Sequence, residues 1–158
     1  MNTMTKNSLY KQKINTLVAH ISASVSEFEE VAKLVSPTSA YLSTRFENLA
    51  QQRGIYTEQL CKQFNIEYNF KIEENSDPRK FLKSGDMISH EMVKEILKET
   101  VTREEQLVDE LQNTQTAMKG ISEETIRIVS EICEHAEGAV QIMNRQITEA
   151  LESSTTTD

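Results

Sequence analysis

Apolar residues recur every three or four positions through most of this chain, which is the spacing that lines one face of a helix. Ile14, Val18, Ile21, Val25, Phe28, Ala32 and Val35 keep that spacing without a break and predict a first helix over Ser8–Val35. Leu42, Phe46, Leu49, Arg53, Tyr56 and Leu60 predict a second over Pro37–Phe64. Leu97, Val101, Glu104, Val108 and Leu111, continued by Gln115 to Met118, predict a third over Asp86–Lys119. A fourth begins at Ser122 and runs to about residue 151, with Val129, Cys133, Ala136, Val140, Met143 and Ile147 on its seam and Ile126, Ile128 and Ile132 widening it. Two seam positions carry charge where an apolar residue is expected, Arg53 and Glu104. A charge on a buried seam needs a partner, because burying it alone is costly.

The breaks between helices carry their own signals. Pro37 cannot continue the helix behind it but suits a first helical turn, with Ser36 as the N-cap. Asp86 suits the cap of the third helix, Gly120 a left-handed C′ position, and Ser122 the start of the fourth. Between the hairpins, Asn65 to Gly85 lacks helical period. Tyr68–Ile72 reads as extended, Asn75–Pro78 as a turn and Arg79–Lys83 as a short helical turn. A helix of about 28 residues is ~42 Å long and about 20 extended residues reach ~65 Å, so this stretch could return the chain along a whole bundle. Residues 1–7 read as a flexible N-terminus, 8–151 as one domain and 152–158 as a disordered tail.

Composition narrows the function classes. The chain has 158 residues, with only 4 Gly, 2 Pro and no Trp, which favours helix throughout. A net charge of -8 argues against a nucleic-acid surface or anionic lipid. No apolar run approaches the ~20 residues of a membrane span, and a signal-peptide pattern is absent, so the expected place is the cytoplasm. Cys61 and Cys133 stand far apart and read as reduced thiols.

Two hairpins joined by one long connection make an all-α, four-helix bundle of ferritin-like topology, with a crossover between the second and third helices. At this level the chain resembles a bacterial ferritin-like family of unknown function. The resemblance rests on Leu17-Val18, Glu27-Phe28, Val31-Ala32, Leu49-Ala50-Gln51-Gln52-Arg53, Glu58-Gln59-Leu60, Ser84-Gly85 and Arg103-Glu104-Glu105, and covers most of residues 14 to 145. It implies a cytoplasmic bundle with no established activity, and no iron-storage cage.

If the first hairpin folds back between Ser36 and Pro37 and the second about Gly120, Arg53 faces His20 and Glu104 faces His135. A crossover makes the second and third helices parallel, so His20, Arg53, Glu104 and His135 form one central polar layer. Di-metal carboxylate proteins hold iron or manganese there with Glu-x-x-His on two helices. That motif is absent from this chain, and an Arg in the layer supplies the charge a metal would bring. Arg53 paired with Glu104 is therefore the expected arrangement, and a residual metal site of His20, Glu104, Glu131 and His135 the alternative. Elsewhere, His90 reads as an exposed or rim residue, Glu27 and Glu30 as solvated flanks with reach inward to Arg53 as the alternative for either, and Tyr41 and Tyr56 as core aromatics.

Three functions compete on this reading. The first is a non-catalytic bundle that has lost its metal site, structural or partner-binding, as a homodimer without a cofactor. The second is an oxidoreductase-type iron or manganese protein with atypical ligands. The third is a helical adaptor that binds a partner helix.

Overall fold

The computed structural model describes the backbone of residues 2–66, 88–120 and 122–156, and the side chains of 10–66, 88–120 and 122–149. These residues form four helices: α1 (Asn2–Val35), α2 (Ala40–Gln63), α3 (His90–Met118) and α4 (Glu123–Thr156). The extended stretch Tyr68–Ile72, the turn at Asn75–Pro78, the turn Arg79–Lys83 and the Asp86 cap lie outside the described residues. Helical geometry extends further than the spacing required at both ends of the chain, beginning at Asn2 and ending at Thr156.

The seams define the core. All seven seam residues of α1 are buried, from Ile14 to Val35, as are Leu97, Val101, Leu111 and Met118 of α3. A second stripe, which the seam spacing alone did not single out, is buried beside it: Leu17, Val31, Ala50, Cys61, Ile96, Leu107 and Ala139. Each helix sits at a corner of the bundle and meets two neighbours, so one seam is too narrow to cover both contacts. α1 packs along α2 and α3 along α4, while α1 also meets α3 and α2 meets α4. α2 and α3 are thus diagonal.

Side-chain pairs fix the directions. His20 meets Glu110 at 2.7 Å and Glu27 meets Arg103 at 2.8 Å, so α1 and α3 are antiparallel. Thr38, just past α1, bonds with Ile88, just before α3. Since α2 folds back on α1, α2 and α3 run parallel.

Local chemistry explains the ends. α2 is capped by Ser39, whose hydroxyl accepts the Leu42 N–H at 3.2 Å, and not by Ser36. The amides of Thr38 and Ser39 both return to the Val35 carbonyl, at 3.0 and 2.7 Å, so Ser36–Pro37 finishes α1 and starts nothing. α3 is capped by Ser89, which accepts from Met92 N–H at 3.1 Å, so the helix starts later than an Asp86 cap would allow. Ser122 accepts from Thr125 N–H at 3.2 Å, and Gly120 holds φ +82° at the end of α3, as their positions in the sequence imply. α2 ends with Asn65 at φ 56° and Ile66 N–H bonded to Cys61 O at 2.8 Å, the Schellman arrangement.

The apolar core is split in two. One cluster holds Phe28, Val35, Leu42, Phe46, Ile88 and Leu97; the other holds Ile14, Leu17, Leu60, Leu111, Val129 and Ile132. A polar layer stands between them.

Candidate functional site: a central arginine layer

Arg53 has no exposed surface and projects from mid-α2 into the interior. Glu104, 2% exposed, comes from mid-α3 on the diagonal. Arg53 Nη1 donates to Glu104 Oε1 at 2.6 Å and Nη2 to Oε2 at 2.5 Å, a two-pronged pair. Nη1 also donates to Ser24 Oγ of α1 at 3.1 Å. Nε and Nη2 share His135 Nδ1 of α4, at 3.2 and 3.1 Å. A guanidinium has five N–H bonds, and these contacts supply an acceptor for each. The Phe28 ring lies beneath, its centroid 4.6 Å from Arg53 Cζ. One side chain therefore ties all four helices together at one height.

The acceptors are themselves oriented. Ser24 gives its own hydroxyl proton to the Ile21 carbonyl at 2.6 Å, which leaves its lone pairs for Arg53. His135 accepts at Nδ1, so its proton sits on Nε2, and that buried Nε2 has no hydrogen-bond partner among the described residues. The edge-on Tyr56 ring, 6.0 Å away between centroids, packs beside it. Burial, then the Arg53 cation, pushes His135 down from the ordinary 6.5 to about 4. Burial pushes the Glu104 carboxyl up; Arg53 pulls it back through hydrogen bonds and charge, and Glu27 adds a smaller push upward.

Three of the four expected layer residues meet here: Arg53, Glu104 and His135. His20 does not. Its side chain is 56% exposed and pairs with Glu110 on the surface of the α1–α3 seam. Ser43 reaches Ala32 and Arg53 reaches Ser24, so the first hairpin folds back about Thr38. That moves the position opposite Arg53 one helical turn along α1, from His20 to Ser24. Glu131 also stands outside the layer, held by Arg127 at 2.7 Å on the outer face of α4. The alternative metal set of His20, Glu104, Glu131 and His135 is therefore dispersed, and among the described residues no group of three or more His, Cys, Asp or Glu is placed to hold a metal ion.

Two flanking readings change. Glu27 is largely buried, 13% exposed, and bonds with Arg103 across the α1–α3 seam. Tyr41 is 55% exposed on the outside of α2, with Arg45 5.6 Å over its ring, whereas Tyr56 is partly buried against the core. His90 is exposed. Cys61 and Cys133 are buried free thiols, and burial followed by hydrogen bonding to Glu137 pushes Cys133 up to about 12. No helix among the described residues is long and apolar enough to cross a membrane.

Ser24, Phe28 and Tyr56 complete the layer without having been read as part of it. Phe28 and Tyr56 were visible as seam residues, but their roles beside Arg53 and His135 depend on ring orientation. Comparison with family models, with curated proteins and with solved structures finds no match to this chain.

Proposed function

We propose that this chain is a ferritin-like bundle in which a protein charge has taken the place of a metal, and that it works as a non-catalytic scaffold that binds another chain, a second copy first. The observation that carries the reading is the complete use of the five Arg53 N–H bonds within one layer. A group so committed has no donor left for a substrate, and it brings to Glu104 the positive charge that a metal would bring. The crossover is supported by position. Ile66 packs in the cluster with Ile14 and Leu111, and Ile88 in the cluster with Val35 and Leu42, at opposite ends of the bundle. The intervening 21 residues, 67–87, can span ~70 Å, against a length of ~36 Å for α2. Tyr41 and Ile55, both more than half exposed and on roughly one side of α2, support a contact surface there.

The test is removal of metal. Dialysis against a strong chelator should leave the melting temperature unchanged, and elemental analysis of freshly purified protein should find no stoichiometric iron or manganese. A fall in melting temperature that iron or manganese restores would return the chain to the di-metal class. Sedimentation equilibrium should give twice the chain mass.

A further inference from the structure

A cavity of about 300 Å³ opens between α1 and α3, on the side of the bundle away from His135. Its wall includes Ser24, Phe28, Thr100, Glu104 and Leu107, with Ala23 at its edge. It reaches the polar layer from outside. The hydrogen-bonding character of its inner wall is one-sided. The Ser24 proton goes to the Ile21 carbonyl and the Thr100 proton to the Ile96 carbonyl, at 2.6 and 2.8 Å. Each Glu104 oxygen accepts one Arg53 N–H and keeps a second lone pair. The Ser24, Thr100 and Glu104 side chains thus offer lone pairs, while the side-chain N–H donors of the lining, on Gln106, Arg103 and His20, stand at its exposed rim.

The wall also leans negative. Glu27, Glu104 and Glu110 line it, against Arg103 and the surface His20. Arg103 is engaged by Glu27 and the His20 ring by Glu110, so both side chains are turned to the rim pairs. Beside these acceptors stand the Phe28 ring and the Leu107 side chain. An inner wall of acceptors beside apolar carbon matches a ligand with an all-donor head and a short hydrocarbon tail.

We infer that this cavity binds a small primary ammonium compound, its three N–H bonds directed at Glu104, Thr100 and Ser24 and its tail against Phe28 and Leu107. The site shares Glu104 with the scaffold reading, yet the tests separate the two: a metal held at Glu104 and lost on chelation would overturn both, whereas failure of butylammonium to bind a chain that is stable to chelation overturns this one alone.

The experiment is a nitrogen-15 chemical-shift titration of the whole chain with n-butylammonium chloride. Saturable shifts are expected at the amides of Ser24, Thr100 and Leu107. Choline chloride has the same charge but no N–H, and sodium butyrate has the tail with the opposite charge; at equal ionic strength both should leave these amides unmoved. Ala23→Phe, at an exposed position, should fill the opening and abolish the shifts without changing the melting temperature. Thr100→Val, which keeps the shape and removes one acceptor, should weaken binding about tenfold. Equal binding of choline, no saturable shift with butylammonium, or undiminished binding to both variants overturns the proposal.

Discussion

Two arginine–carboxylate sites among the described residues stand in opposite settings. Arg53 and Glu104 meet at mid-bundle with 0% and 2% of their side chains exposed. Arg127 meets Glu124 and Glu131 on the outer face of α4, with 51%, 50% and 36% exposed. Both are close and both engage more than one guanidinium nitrogen. What differs is the alternative open to each group. On α4, a released Arg127 is solvated by water at once, so the pair competes with a good substitute. In the layer, a released Arg53 has only protein around it, so breaking the pair carries the whole penalty of stranding a charge. Proximity alone does not rank these contacts; the environment after breaking does.

The largest effect should therefore come from breaking the inner pair one side at a time. Arg53→Met or Glu104→Leu should each lose about 3–5 kcal/mol in urea denaturation, since each leaves an unpaired buried charge. The double replacement should recover much of that loss, because two apolar side chains fill the gap between the two core clusters. Additive losses in this double-mutant cycle would show that Glu104 draws its stabilisation from another group.

The next effect is set by His135 and has a definite sign. Its folded pKa of about 4 lies below the unfolded 6.5, so on acidification the unfolded chain takes up the proton first. Stability from this group is whole above about pH 6.5, falls between pH 6.5 and 4, and is flat below. The full shift corresponds to about 3 kcal/mol, and solvent screening at this partly buried ring reduces it to about 1–2 kcal/mol. Comparing the wild type with His135→Gln at several pH values cancels the carboxylates common to both, including Glu104 with its opposite shift. The gap between the two proteins should narrow or reverse as the pH drops. A gap constant from pH 7 to 4 would mean that His135 is protonated inside the fold and does not accept from Arg53.

Much of this layer was legible in the sequence, and the failures share causes. The seams located the core because an apolar period of 3.6, in a chain with so little Gly and Pro, fits a packed helix and little else. Arg53 and Glu104 stood out as the charges that interrupt those seams, and His135 followed because Gly120 and Ser122 fixed the second turn. His20 failed because more than one residue between Val35 and Ala40 could have capped α2, and the proline at 37 favoured the wrong one. A hydroxyl at 39 with an extended backbone, φ -147°, decided the matter. Moving the centre of a turn by one residue moves the facing position on the partner helix by two, so an error of two residues replaces Ser24 by His20. Glu27 and Tyr41 failed for a different reason: their burial depends on which second neighbour each helix face meets, and a one-seam reading says nothing about that.

A smaller effect tests the turn that was read correctly. Gly120 adopts φ +82° with open space where a Cβ would stand. Gly120→Ala should cost about 1 kcal/mol from backbone strain alone. Gly120→Asn should cost less, because Asn tolerates this region better than Ala does. Equal losses for the two would point to packing and not to the backbone angle.

The smallest effect returns to the outer pair. Arg127→Gln removes the contacts to Glu124 and Glu131 yet should leave the denaturant midpoint unchanged at physiological salt. Arg127 stands between two carboxylates of its own helix, three residues before it and four after, where water screens each contact and the long side chain loses rotamer freedom by holding one geometry. Glu124 nonetheless titrates below the usual carboxylate range, because the Arg127 hydrogen bond favours its charged form. A shifted titration without a matching stability is the expected signature of an exposed pair. In Arg127→Gln the Glu124 carboxyl, followed by carbon-13 chemical shift, should return toward its ordinary range while the midpoint stays put. If the midpoint falls as far as it does for Arg53→Met, burial is not what separates the two arginines, and the ranking of the two sites fails with it.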